Sequence, residues 1–146
     1  MVVVVDTNIL IQCIINIKGN TAKLILESSS EINYAIAEFV ITEARENETK
    51  IYSSTNLKRP FFEENLQLLL THIVMVRDDE IPESHFKLAH EIARKIDLYD
   101  VVHIALAITL DGLLWTDDHK LRRGLNRKGF RSVVNTREFK EILKGL

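Results

Sequence analysis

Four consecutive valines, Val2 to Val5, open the chain after Met1, and the run stops at Asp6-Thr7-Asn8. Valine is β-branched and favours extended backbone. An apolar run with no polar alternation leaves no face for water, so it reads as a strand buried on both sides, as in a parallel sheet. Helices must then cover both faces. Leu113-Leu114-Trp115-Thr116 repeats the pattern and ends at Asp117-Asp118, while Asp100 opens a third apolar stretch. In open parallel sheets, ligands sit beyond the carboxyl ends of the strands. Acids from distant parts of the sequence are therefore expected to meet at one edge. Oxygen donors suit hard divalent cations such as Mg²⁺ or Mn²⁺, which points to metal-assisted chemistry on phosphate.

The remaining elements follow from apolar spacing and turn residues. Helix is expected over Asn8–Lys18 and Thr21–Glu27, interrupted at Gly19-Asn20, and over Glu38–Glu48. Pro60 suits the first turn of a helix running to Leu70, and Pro82 that of a helix over Ile81–Lys95. Asp100–Leu110 reads as a helix apolar on nearly every side and hence buried. Strands are expected at Ile32–Ile36, Ile73–Val76, Leu113–Trp115 and Arg131–Val134, and a closing helix at Thr136–Leu143. Alternating strands and helices predict an α/β fold around a mainly parallel five-stranded sheet.

A length of 146 residues allows one domain, taken as residues 1–146. The 46% hydrophobic and 27% charged residues exclude a disordered chain. Cys13 is the only cysteine, which excludes an intrachain disulfide and a cysteine-based zinc site. Neither a basic leader nor a bilayer-long apolar span is present, so a cytoplasmic location with no membrane partner is expected. A net charge of −2 does not mark a nucleic-acid binder by itself; the distribution of charge decides that.

Each acid also has a structural reading. Asp6 is a good helix N-cap. Asp97 and Asp100 are spaced like an N-cap and its third-position partner, and one of Asp117 and Asp118 can cap the helix expected from Lys120-Leu121.

Taken in order, these segments resemble the PIN domain, a family of metal-dependent nucleases. Val4-Val5-Asp6-Thr7-Asn8-Ile9-Leu10 resembles its opening strand and first acidic ligand. Asp100-Val101-Val102-His103-Ile104-Ala105-Leu106-Ala107 resembles its third acidic segment. Leu114-Trp115-Thr116-Asp117-Asp118-His119-Lys120-Leu121 resembles the fourth, in which Thr or Ser and a variable residue precede the Asp. Lys128 to Thr136 resembles the final strand. The resemblance spans the chain and implies a three-layer α/β/α fold. It also implies a second ligand, a Glu on the helix after strand two. Glu38 and Glu43 both qualify, and being about 140° apart around a helix they cannot share a site. The segment Glu38-Phe39-Val40-Ile41-Thr42-Glu43-Ala44 favours Glu43, leaving Glu38 as a surface charge near the helix start.

The implied site is Asp6, Glu43, Asp100 and Asp118 around one or two Mg²⁺ or Mn²⁺ ions. Crowded carboxylates repel, and a cation relieves that repulsion and acidifies water. The resemblance implies endoribonuclease activity leaving a 5′-phosphate and a 3′-hydroxyl. Asn8, Thr116 and Asp117 would stand behind or beside the ligands; turn and cap chemistry is their other reading. Small members of the family are often toxins, which suggests an antitoxin partner and a homodimer. Lys120, Arg122, Arg123, Arg127, Lys128 and Arg131 crowd the segment after Asp118 and could touch RNA phosphates, or form a solvated face. Lys58-Arg59 is a weaker second basic candidate. His103, inside an apolar helix, reads as a satisfied core residue, and Trp115 and Phe130 as core.

Two other readings remain. One is a Mg²⁺-dependent phosphatase-like α/β enzyme. Haloacid dehalogenase-like enzymes need a second Asp two residues after the first, and position 8 is Asn; a receiver domain would need more than Asp78-Asp79. The other is a PIN fold without catalysis, serving to bind RNA or protein.

Overall fold

Val2–Val5 forms β1, the middle strand of a five-stranded sheet, in a computed structural model that describes residues 1–94 and 100–146. β2 (Asn33–Ala37), β3 (Ile73–Val76), β4 (Leu113–Trp115) and β5 (Val133–Val134) complete it in the order β3-β2-β1-β4-β5. All four pairings are parallel. Val3, Val4 and Val5 are fully buried, as the unbroken run requires. Val3 stands opposite Tyr34 on one side and Leu113 on the other, and Val5 opposite Trp115. That register brings Asp6 level with Thr116 where the strands end.

The helices are α1 (Thr7–Ile15), α2 (Asn20–Leu26), α3 (Glu38–Glu46), α4 (Glu48–Ser54), α5 (Arg59–Leu70), α6 (Glu83–Ala93), α7 (Val101–Leu110), α8 (His119–Arg127) and α9 (Thr136–Lys144). They sandwich the sheet in an α/β/α arrangement. α7 lies across β1, β2 and β4 with α6 beside it, while α1 packs with α2, α3 and α5. No single helix among the described residues is long and apolar enough to cross a membrane.

Most expected elements are found within two or three residues. Three differences have physical causes. The helix expected over Glu38–Glu48 ends at Asn47, whose side-chain amide donates to Glu43 O at 2.8 Å. The following α4 had no apolar signal, because Ile51 is its one buried residue. The last strand shrinks to Val133–Val134, the two positions that enter the core. The expected end of the Ile81 helix at Lys95 and the Asp97 cap lie outside the described residues. Asp100 stands at the N-cap position of α7, with Val101 as its first residue.

Turn chemistry sets two helix ends near the sheet. α8 is followed by Gly129 at φ 84°, and Phe130 N donates to Leu125 O at 2.9 Å, a Schellman closure that only glycine adopts cheaply. Asp111 takes the same left-handed role after α7 at φ 49°.

Trp115, Tyr34 and Phe139 pack together and dock α9 on the sheet. The Trp115 and Phe139 ring centres are 4.8 Å apart, and Tyr34 meets Phe139 edge-on at 6.2 Å. Trp115 Nε1 also donates to Thr136 Oγ1 at 3.0 Å. Phe139 is fully buried. Phe139→Ala is expected to cost about 3–5 kcal/mol, read as a lower urea midpoint; a loss under about 1 kcal/mol would show that α9 does not depend on this ring.

Candidate active site

Asp6 begins the site because β1 ends there and α1 begins. Its Oδ1 accepts from Ile9 N at 2.8 Å, the N-cap bond of α1. Asp118 repeats the arrangement between β4 and α8, accepting from Leu121 N at 3.0 Å. The capping and site readings are therefore not alternatives: each cap fixes a carboxylate at a strand end. Thr116, fully buried, links the two. Its hydroxyl accepts from Asp118 N at 3.2 Å and is hydrogen-bonded to the Asp6 carboxyl.

Four acids from four separate segments line one cleft of about 240 Å³: Asp6, Glu43, Asp100 and Asp118. Asn8, Thr7, Ile11, Asn47 and His103 complete its wall. Glu43 rather than Glu38 faces this space, held by the Thr7 hydroxyl, which donates to Glu43 Oε1. Glu38 is turned toward β3, where its Oε1 accepts from Asp78 N at 3.3 Å. A larger hollow of about 580 Å³ lies at the amino end of the sheet, between Ser28–Glu31 and Leu143; it gathers none of these groups, so size does not select the site.

Asp117 turns away. Its two oxygens accept from Thr136 N and Thr136 Oγ1, each at 2.7 Å, so it ties the end of β4 to the start of α9. Among the described residues, no Lys or Arg lines the cleft. Lys120, Arg123, Lys128 and Arg131 are exposed on α8 or just beyond it. Arg122 differs: its guanidinium donates to Glu138 Oε1 at 2.5 Å and is largely buried.

Thr7, Asn47 and His103 were not singled out from the sequence as site residues. Thr7 sits inside the Asp6-Thr7-Asn8 triplet, and Asn47 and His103 lie one turn beyond Glu43 and Asp100, spacings that do carry the signal. His103 is not the satisfied core residue its apolar helix suggested. It is 2% exposed, its Nδ1 has no hydrogen-bond partner among the described residues, and its Nε2 is 3.9 Å from Asp100 Oδ1.

Burial, helped by the charges of Asp117 and Asp118, pushes the Asp6 carboxyl up from 3.8 to about 6, against the opposing hydrogen bonds from Thr116 and Ile9. Burial also lowers His103 to about 4, so its ring is neutral at physiological pH, and raises the Cys13 thiol to about 12, leaving it inert. Among the described residues, no three His, Cys, Asp or Glu side chains already stand at metal-holding separations.

The PIN domain family's sequence model matches residues 4–138, nearly the whole chain. The chain belongs to the PIN domain family. Among curated proteins none matches significantly. Similar solved structures include VapBC2 from Rickettsia felis bound to a DNA fragment from their promoter, with 17% identity, a TM-score of 0.67, and 92% of this chain and 98% of that one covered. PAE2754 from Pyrobaculum aerophilum is similar at 17% identity and a TM-score of 0.65, covering 99% and 96%. At such identity these likenesses concern the fold alone.

The buried acid makes stability depend on pH. Below about pH 4 the native and unfolded chains both hold the Asp6 proton. Between about 4 and 6 the unfolded chain has lost it and the native chain keeps it, so stability falls as pH rises; above about 6 the loss is complete. It amounts to about 3 kcal/mol at most. Asp6→Asn keeps the cap and removes the charge. In chelator at pH 7.5 the variant is expected to resist urea better than the parent, with the gap closing by about pH 4. A variant less stable at both pH values would contradict this.

Proposed function

We propose that the chain is a metal-dependent endoribonuclease that hydrolyses RNA phosphodiester bonds, leaving a 5′-phosphate and a 3′-hydroxyl. The observation that carries this reading is the single cleft lined by Asp6, Glu43, Asp100 and Asp118 in a chain of the PIN domain family. An all-carboxylate donor set suits Mg²⁺ or Mn²⁺. Burial, with the charges of Asp117 and Asp118, raises the Asp6 pKa, a cost that a bound cation would offset. These four residues would hold one or two ions. A bound divalent cation supplies stabilisation of the charge that builds on the phosphate and lowers the pKa of water.

The chain's own residues do the positioning. Thr7 fixes Glu43, and Thr116 fixes Asp6 and the backbone of Asp118. Asn8, exposed at the cleft wall, presents an amide to the substrate or to water. Lys120, Arg123, Lys128 and Arg131 offer charge to RNA phosphates leading away from the cleft. Arg122 is assigned instead to holding α8 against Glu138, and Asp117 to capping α9. The reading extends to a toxin with an antitoxin protein as partner, working as a homodimer in the cytoplasm in one domain; the shared fold with VapBC2 supports the antitoxin.

A PIN fold that binds RNA or protein without cutting is the second reading, and the observation in its favour is the absence of three metal-spaced ligands among the described residues. Cleavage of single-stranded and structured RNA with Mn²⁺, with and without chelator, decides between them. Cleavage that needs the ion and disappears in Asp6→Asn is expected; cleavage retained in purified Asp6→Asn would remove this mechanism, and binding without cleavage would favour the silent module.

Two finer outcomes follow from the geometry. Asp118→Asn is expected to lose about 100-fold or more of the cleavage rate. Asp117→Asn should keep most of it while losing about 1 kcal/mol of stability, because the amide replaces one of the two acceptor oxygens that hold Thr136. Equal kinetic losses would place Asp117 in the site. Removing the charges of Arg123 and Lys128 together should flatten the log–log salt dependence of RNA binding by about 0.7 per lost contact; an unchanged slope returns that face to solvent.

A further inference from the structure

His103 is the polar residue among the buried positions of α7; its buried neighbours are Ile104, Ala105, Leu106 and Ala107. The ring carries two nitrogens into the interior, and among the described residues Nδ1 finds no partner. A buried polar group left unpaired is destabilising. On the neighbouring helix the fold does satisfy a histidine: His85 Nδ1 of α6 stands 2.9 Å from Thr109 Oγ1 of α7. His103 is not served in that way, although it borders the acidic cleft.

Its position follows from helical spacing. Three residues after Asp100, it lies on the same side of the chain one turn on, and its Nε2 stands 3.9 Å from Asp100 Oδ1. That separation is too long for a hydrogen bond. It is short enough for one cation to reach both atoms, since donors about 2.1 Å from an octahedral ion lie between about 3 and 4 Å apart. The ring is flanked by carboxylates that attract a cation, and a neutral imidazole can ligate it.

We propose that His103 is a nitrogen ligand of the cation held by this cleft, shared with Asp100. The proposal rests on the metal-site reading above. Its consequence is selectivity. Carboxylates alone do little to separate Mg²⁺ from first-row transition ions, whereas an imidazole favours the latter. The cleft therefore prefers Mn²⁺ and later divalent ions to Mg²⁺.

Pulsed electron paramagnetic resonance of the full chain with one equivalent of Mn²⁺ tests this without reference to activity. A directly bound imidazole is expected to give ¹⁴N modulation, replaced by the ¹⁵N pattern when only histidine is labelled. The modulation should persist in His119→Gln, which removes the exposed histidine beside Asp118, and vanish in His103→Gln. In the same His103→Gln variant Mn²⁺ affinity should fall about tenfold or more while Mg²⁺ affinity changes about twofold or less. If His103→Gln does not fold, the labelled parent and His119→Gln still decide. Mn²⁺ bound at one equivalent without nitrogen modulation, or modulation lost in His119→Gln, overturns the histidine assignment and leaves the carboxylate site standing. No Mn²⁺ bound at millimolar concentration overturns the metal reading itself.

Discussion

A carboxylate held at the buried end of the central strand is the constraint on which the rest depends. β1 is covered on both faces, so Asp6 has almost no water around it, and its burial raises its pKa to about 6. Two groups hold it in place, the Ile9 amide that needs a cap and the Thr116 hydroxyl at the end of the neighbouring strand. The same geometry recurs with Asp118 at the start of α8. Because parallel strands all end at one edge, their helix N-termini converge there too. Caps and a shared acidic cleft are thus one consequence of one topology.

The fold was legible because its strongest signals are compositional. An all-apolar strand at Val2–Val5 and another at Leu113–Trp115 can only be buried on both faces, and strand–helix alternation leaves few ways to arrange them. Asp6, Asp100 and Asp118 were legible because each follows an apolar strand or begins an apolar helix, whereas Glu43, inside α3, was reached through the family resemblance. What escaped were residues whose placement depends on partners far along the chain. Glu38 and Glu43 differ through Asp78 and Thr7, neither of which local spacing reveals. Arg122 looks like its basic neighbours in sequence, and only Glu138 on α9 separates it from them. Asp117 and Asp118 are adjacent and alike; the bonds of Asp117 to Thr136 assign them different tasks.

His103 shows the same limit from the other side. By periodicity it belongs to the core, and by burial it does. Its missing hydrogen bond and its approach to Asp100 become visible only when the cleft is assembled. The structure thus stores cost at the cleft in an acid short of water, a cost of the kind that a bound cation offsets.

Heating the protein with and without Mn²⁺ tests that account most directly. A ligand that binds the native state alone raises the unfolding temperature, by about 3 kcal/mol of added stability at a hundredfold excess over its dissociation constant. The parent chain is expected to gain several degrees with Mn²⁺. Asp6→Asn, already the more stable of the two in chelator, should gain little, so that the order of the two melting temperatures narrows or reverses with metal. An unmoved parent at millimolar Mn²⁺, or an equal gain in Asp6→Asn, would contradict the claim that these carboxylates are gathered to hold a cation.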